Sequence, residues 1–130
     1  MSPKEYILAQ ADERHLIMNS LHLIIINRDK LITPKVEWMM GKQMIVYKEK
    51  GYMKYALASG KNYMSFHCMQ IYGSPELHGK YTNLLPGATF QKGCINFKNV
   101  VEMPLEVADN LLQDCARIFI ATFLEKRKKK

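Results

Sequence analysis

Histidine, cysteine and methionine are the side chains here with most chemistry to offer, and their spacing narrows what they can do. His67 and Cys68 are adjacent; in an extended strand neighbouring side chains point to opposite faces, so they do not share one ion. His15 and His22 are seven residues apart, two turns along one helix side, whereas a helical ligand pair needs a spacing of three or four. Surface or satisfied histidines are the simpler reading of both. Six methionines lie between Met39 and Met69, which would suit a soft metal. Methionine more often fills irregular core gaps or lines an adaptable pocket, and the core is preferred. Cys94 follows Lys92 and Gly93. A nearby ammonium can lower a thiol pKa, and His67 is the available base. Nothing in the spacing forces the two together, and free cysteine is among the most buried residue types, so an inert thiol is preferred. Trp38, Tyr47, Tyr55, Tyr63 and Phe66, with His67 and Lys92 as polar fixtures, describe a ligand pocket, but they also describe an ordinary sheet core, which is preferred. There is no Gly-rich phosphate loop, paired-acid constellation or Ser-His-Asp order. The residues favour binding over catalysis and assign no cofactor.

These side chains need elements to position them. Two β-prone runs, Tyr52–Ser59 and Tyr63–Gln70, flank Ser59-Gly60-Lys61-Asn62, a hairpin signal. In the second run Tyr63, Ser65, His67 and Met69 share one face, and Met64, Phe66, Cys68 and Gln70 the other. This hairpin is expected at the centre of an antiparallel sheet. Before it, Val36–Met40 and Gln43–Lys48 read as strand, with Gly41 as a bend or bulge and Thr33-Pro34 as a turn. After it, Ser74-Pro75 opens a short helix to Leu84, and Phe90 and Cys94–Lys98 read as a last strand.

Helices are expected at both ends. Ser2-Pro3-Lys4-Glu5 carries a cap, a first-position proline and a glutamate three residues after the cap, and Asp12 is a candidate second cap. Ile17, Met18, Leu21, Ile24 and Ile25 then follow a helical stripe; the N-terminal region reads as one helix or as two with a break near residues 10–12. Pro104 opens a final helix with Leu105, Ala108, Leu112, Cys115 and Phe119 as its stripe. The order predicts an α+β domain with a small antiparallel sheet of about four to five strands packed against N- and C-terminal helices.

The bulk numbers bound the class. A length of 130 residues and 48% apolar content predict one domain, residues 1–125, with its own core. Lys126–Lys130 supply +5 of the net +7, leaving +2 for the rest. The basicity is therefore a disordered terminal tail, residues 126–130, and argues against a nucleic-acid face. Three widely spaced cysteines without a C-x-x-C pair, and an opening without a charged-then-apolar leader, predict a cytoplasmic protein with free, mostly buried thiols. The longest apolar run, Leu23–Ile26, is too short for a membrane span. An apolar sheet face left uncovered would leave the choice between monomer and homodimer open.

Several short motifs occur in a fixed order: V-E-W at Val36–Trp38, a glycine three residues after the Trp, the Tyr52–Ser59 strand, K-N-Y-M-S-F at Lys61–Phe66, F-Q-K-G-C-I-N-F at Phe90–Phe97, and M-P-L-E at Met103–Glu106. Together, over roughly Tyr6 to Phe119, they resemble the YdhG-like family of small bacterial domains of unknown function. The resemblance implies an α+β fold, a helix-backed antiparallel sheet and, through one branch of that family, a frataxin-like iron-chaperone role. The chain departs from the pattern where Trp38-Met39-Met40-Gly41 lacks the family's W-G-x-P proline, and where Tyr63 stands in place of a frequent histidine. Frataxin-type iron binding also relies on an acidic ridge, and here Glu5, Asp12, Glu13, Glu37 and Glu49 are interspersed with Lys4, Arg14, Lys35, Lys48 and Lys50.

The expected function is a non-enzymatic module binding a small molecule or metal. The expected ligand site is Trp38, Tyr47, His67 and Lys92, on or under the central sheet. Trp38 and Tyr47 would supply flat walls, His67 a group that titrates near neutrality, and Lys92 a cation. The alternative from a different class is a protein-interaction or nucleic-acid-associated module using the basic tail.

Overall fold

A computed structural model of the chain describes residues 1–39, 41–91 and 93–120. The basic tail therefore lies outside the described residues, as does Lys92. The chain runs through helices α1 (Pro3–Leu8) and α2 (Asp12–Arg28), then strands β1 (Thr33–Met39), β2 (Lys42–Glu49), β3 (Tyr52–Ser59) and β4 (Met64–Cys68). Helices α3 (Met69–Gly73) and α4 (Pro75–Leu84) follow, then strands β5 (Thr89–Gln91) and β6 (Cys94–Phe97), and helix α5 (Leu105–Ala116).

Local chemistry sets the helix starts. Ser2 Oγ accepts from the Glu5 N–H at 3.1 Å, and Glu5 Oε1 accepts from the Ser2 N–H at 2.9 Å, with Pro3 at the first helical position. The N-terminal region is two helices. The joint between them is tied by Gln10 Nε2 donating to Tyr6 O at 2.9 Å and by His15 Nε2 meeting Gln10 O at 2.7 Å. Asp12 is not the cap: Ala11 holds that position without a side-chain bond, and Asp12 sits in the first turn, where its charge suits the helix dipole. Ser74 Oγ accepts from the Leu77 N–H at 3.2 Å and Pro75 opens α4.

The sheet has six strands in the order β1-β2-β3-β4-β6-β5 and is antiparallel throughout. The hairpin of β3 and β4 occupies its centre, in register from Tyr55↔Cys68 to Ser59↔Met64. The strand count exceeds the expected four to five for local reasons. Gly41, at φ +82°, lies in the turn of a β1–β2 hairpin rather than at a bulge within one run, and Thr33-Pro34 belong to β1. Thr89–Gln91 forms a short edge strand on β6.

Among the described residues all five helices bury side chains in the core on one sheet face. From α2 come Ile17, Met18, Leu21 and Ile25, and from α5 Ala108, Leu111, Leu112 and Cys115. They meet Ile45, Tyr47, Tyr55, Leu57, Met64, Phe66, Ile95 and Phe97 of the sheet. Each leucine, isoleucine, methionine and phenylalanine among them contributes roughly 1.5–3 kcal/mol on full burial. Phe119, expected to continue the last stripe, lies beyond α5 and is exposed. Arg28 joins the two long helices through Asp109, with Nε–Oδ1 at 2.6 Å and Nη2–Oδ2 at 2.9 Å.

At one end of this core sits a charge cluster that strand alternation does not anticipate. The β2–β3 register shifts between Tyr47 and Lys48, leaving Lys54 as the additional residue on β3. Such a bulge re-aims a side chain, and Lys54 turns into the core, fully buried. Its ammonium stands 2.8 Å from Asp29 Oδ2 and 2.8 Å from Glu49 Oε1. Tyr55 Oη donates to Asp29 Oδ2 at 2.9 Å and the Leu31 N–H to Asp29 Oδ1 at 3.1 Å. Gln70 Nε2 continues the network to Tyr55 Oη at 3.4 Å and to Cys115 O at 3.0 Å. Cys68 and Cys115 face each other in the same region, Sγ to Sγ 3.3 Å.

The second sheet face is built from smaller and softer groups. Met44, Val46, Ala56 and Ala58 form its buried floor, with Met39 and Met53 packed against them. Ser65 and Asn96 are buried beside that floor, and Lys48 pairs with Glu37 at 3.0 Å. Among the described residues no helix is long and apolar enough to cross a membrane.

Candidate functional site

The second face carries a cavity of about 440 Å³ where β4, β6 and the start of α3 meet. Strand pairing builds its polar wall. His67 and Cys94 are directly opposite in the β4–β6 ladder, and alternation puts both on this face. His67 Nε2 and Cys94 Sγ are 3.7 Å apart. The Cys94 thiol donates to Asn96 Oδ1 at 3.2 Å, Ser65 Oγ donates to the same oxygen at 2.7 Å, and Asn96 Nδ2 donates to Gln91 Oε1 at 3.1 Å. Met39, Met53, Met69 and Tyr72 supply the apolar walls. Gly93 makes the close approach possible: a Cβ there would stand 2.8 Å from Cys68 O and 2.9 Å from Tyr72 Cβ. The Cys68 N–H donates to Gly93 O at 2.8 Å, which pins the rim.

Burial decides the protonation of the pair. It lowers the His67 pKa, and the Lys42 charge lowers it further. Burial raises the Cys94 pKa, only partly offset by the neighbouring Ser65 hydroxyl and the Lys42 charge. The resting state near neutrality is thus a thiol beside a neutral imidazole, not a thiolate–imidazolium pair. An activated cysteine nucleophile needs the opposite shift. The arrangement suits reversible binding better than attack on a carbonyl. Among the described residues no three His, Cys, Asp or Glu side chains cluster as a metal centre.

The expected site residues separate. Trp38 lies on edge strand β1 and is 72% exposed. Tyr47 is fully buried under α2, where its Oη meets His22 Nδ1 at 2.8 Å. His67 lies on the other face, in the cavity, and Lys92 lies outside the described residues. His22 and His15 are both satisfied by intramolecular partners. Cys94, weighed as an inert buried thiol, is half-buried and faces the cavity. The opposition of His67 and Cys94 had no readable signal, because two helices and a strand intervene between β4 and β6 in sequence. A second cavity of about 410 Å³, between α1 and α2, is lined by Lys4, Ile7, Leu8, His15, Leu16 and Asn19. The His15 ring is already bonded to Gln10 O through Nε2. No known family, curated protein or solved structure matches the chain.

Proposed function

We propose that the protein is a non-enzymatic ligand-binding module of the YdhG-like kind, working in the reducing cytoplasm and seating a small ligand in the cavity of the second sheet face. The observation that carries this reading is the combination of thioether and ring walls with one convergent polar pair, His67 and Cys94. Ligand sites are mostly apolar concavities with a few placed polar groups. Methionine walls adapt to shape because the side chain is unbranched and polarisable. Three free thiols fit a reducing compartment.

Methionine methyl groups report on this directly. In a protein carrying ¹³C-methyl methionine, a mixture of small aromatic fragments should shift the Met39, Met53 and Met69 resonances. The core residues Met18 and Met64 should stay unmoved. Shifts confined to groups near the α1–α2 cavity, or none at millimolar fragment, would remove the proposal.

A further inference from the structure

We infer that His67 Nε2 and Cys94 Sγ are the two anchoring ligands of a site for one soft, singly charged metal ion of the copper(I) type, completed by a methionine thioether of the same cavity; this rests on reading that cavity as a ligand site. The pair is already spaced for chelation. With metal–nitrogen and metal–sulfur bonds of about 2.0 and 2.3 Å, an N–S separation of 3.7 Å corresponds to an angle at the metal of about 120°. That is the trigonal angle, which leaves one in-plane position for a third donor. Met39, Met53 and Met69 all line the cavity that the pair faces.

Donor type and charge select the ion. Thiolate and thioether ligands favour copper(I), whereas magnesium, calcium and manganese favour carboxylate and carbonyl oxygen. Among the described residues no carboxylate lines the cavity. Lys42 is close enough to perturb both His67 and Cys94 electrostatically, and its repulsion is twice as strong for a divalent ion as for a monovalent one. Binding forms a metal–sulfur bond and breaks the Cys94 S–H bond, the proton leaving to solvent. The single positive charge is then matched by the single thiolate. His67 donates a nitrogen lone pair, and no electron is transferred.

The chain has a second sulfur pair, Cys68 and Cys115, which sits in the core with a 3.3 Å separation; the test must separate the two. The intact, reduced chain is titrated anaerobically with copper(I) against a chromophoric copper(I) chelator, with native mass spectrometry for stoichiometry. One ion per chain is expected. Cys94→Ser should weaken it by at least about 100-fold, since even an outer-shell partner is typically worth 10–100-fold. His67→Ala and the double variant Met39→Leu/Met53→Leu should each weaken it by about 10-fold or more. Cys115→Ser should leave it within a factor of about two, and circular dichroism reports whether each variant folds. Full binding in Cys94→Ser, loss only in Cys115→Ser, or zinc(II) competing at equal affinity would overturn the assignment. Aromatic fragments that move the Met39 and Met53 methyls without copper(I) binding would overturn the metal while leaving the cavity as a ligand site. Failure of both probes would remove both readings.

Discussion

Replacing Lys54 with methionine should take away a large share of the protein's stability at neutral pH. The Lys54 side chain has 0% exposure, and its ammonium is 2.8 Å from a carboxylate oxygen of Asp29 and 2.8 Å from one of Glu49. Methionine preserves most of the volume and removes the charge, so the packing loss is small and the electrostatic loss dominates. Removing one partner of a buried pair costs about 3–5 kcal/mol, because the remaining charge is uncompensated. Here one ammonium serves two acids, which places the loss near the top of that range, about 5 kcal/mol. Asp29 keeps its bonds from Tyr55 Oη and the Leu31 N–H, which limits the loss on that side. Against a total stability of roughly 5–15 kcal/mol, a loss of that size removes about a third to all of it. Adding Asp29→Asn and Glu49→Gln should recover most of the loss. Urea unfolding followed by far-ultraviolet circular dichroism is the assay; Trp38 fluorescence is a poor reporter because that ring is already 72% exposed. A loss below about 1 kcal/mol at pH 7 would show that Lys54 does not hold the two acids in the fold.

Of the three cysteines only Cys94 is half-exposed, so an aromatic disulfide reagent should label one thiol in the native protein and all three in urea. The native reaction should be slow at neutrality and speed up as pH passes above the ordinary thiol range, since burial raises the Cys94 pKa; immediate labelling of all three would contradict the placement of Cys68 and Cys115. His22 and His67 both have pKa values lowered by burial. Their contribution is complete above the unfolded value near pH 6.5 and is lost as pH falls below it towards the folded values. His67→Gln should flatten that part of the stability profile, and an unchanged profile would count against a buried neutral imidazole. Gly93→Ala should destabilise by about 1–3 kcal/mol, through its clash with Cys68 O and Tyr72 Cβ; a neutral effect in thermal unfolding would mean that the rim yields without cost.

Local signals carried most of the fold. The caps at Ser2 and Ser74, the stripe Ile17–Ile25, the joint at Gly60 and the alternation that puts Met64 and Phe66 opposite Ser65 and His67 all depend on neighbours a few residues away. What was not legible depends on residues distant in sequence. The bulge that turns Lys54 inward is a property of β2 and β3 together, and its acid partners Asp29 and Glu49 come from two other places in the chain. Tyr47 looked like a free ligand wall because its partner, His22, lies 25 residues earlier on α2. Gly41 reads alike as a bulge or a hairpin turn until the β1–β2 pairing is known. The meeting of His67 with Cys94 needs the β4–β6 register, which no local pattern encodes.

The proposed function requires the cavity at His67 and Cys94 to be an occupied site in the cell. Native mass spectrometry of the chain isolated from its own host, under reducing conditions, tests it most directly when paired with Cys94→Tyr. That substitution fills the cavity from a half-exposed position and spares the helix-covered core. A bound mass on the wild-type chain that is absent from the variant, with both folded by circular dichroism, is the predicted result. A bound mass that survives in the variant, or a wild-type chain that carries none, would contradict the account.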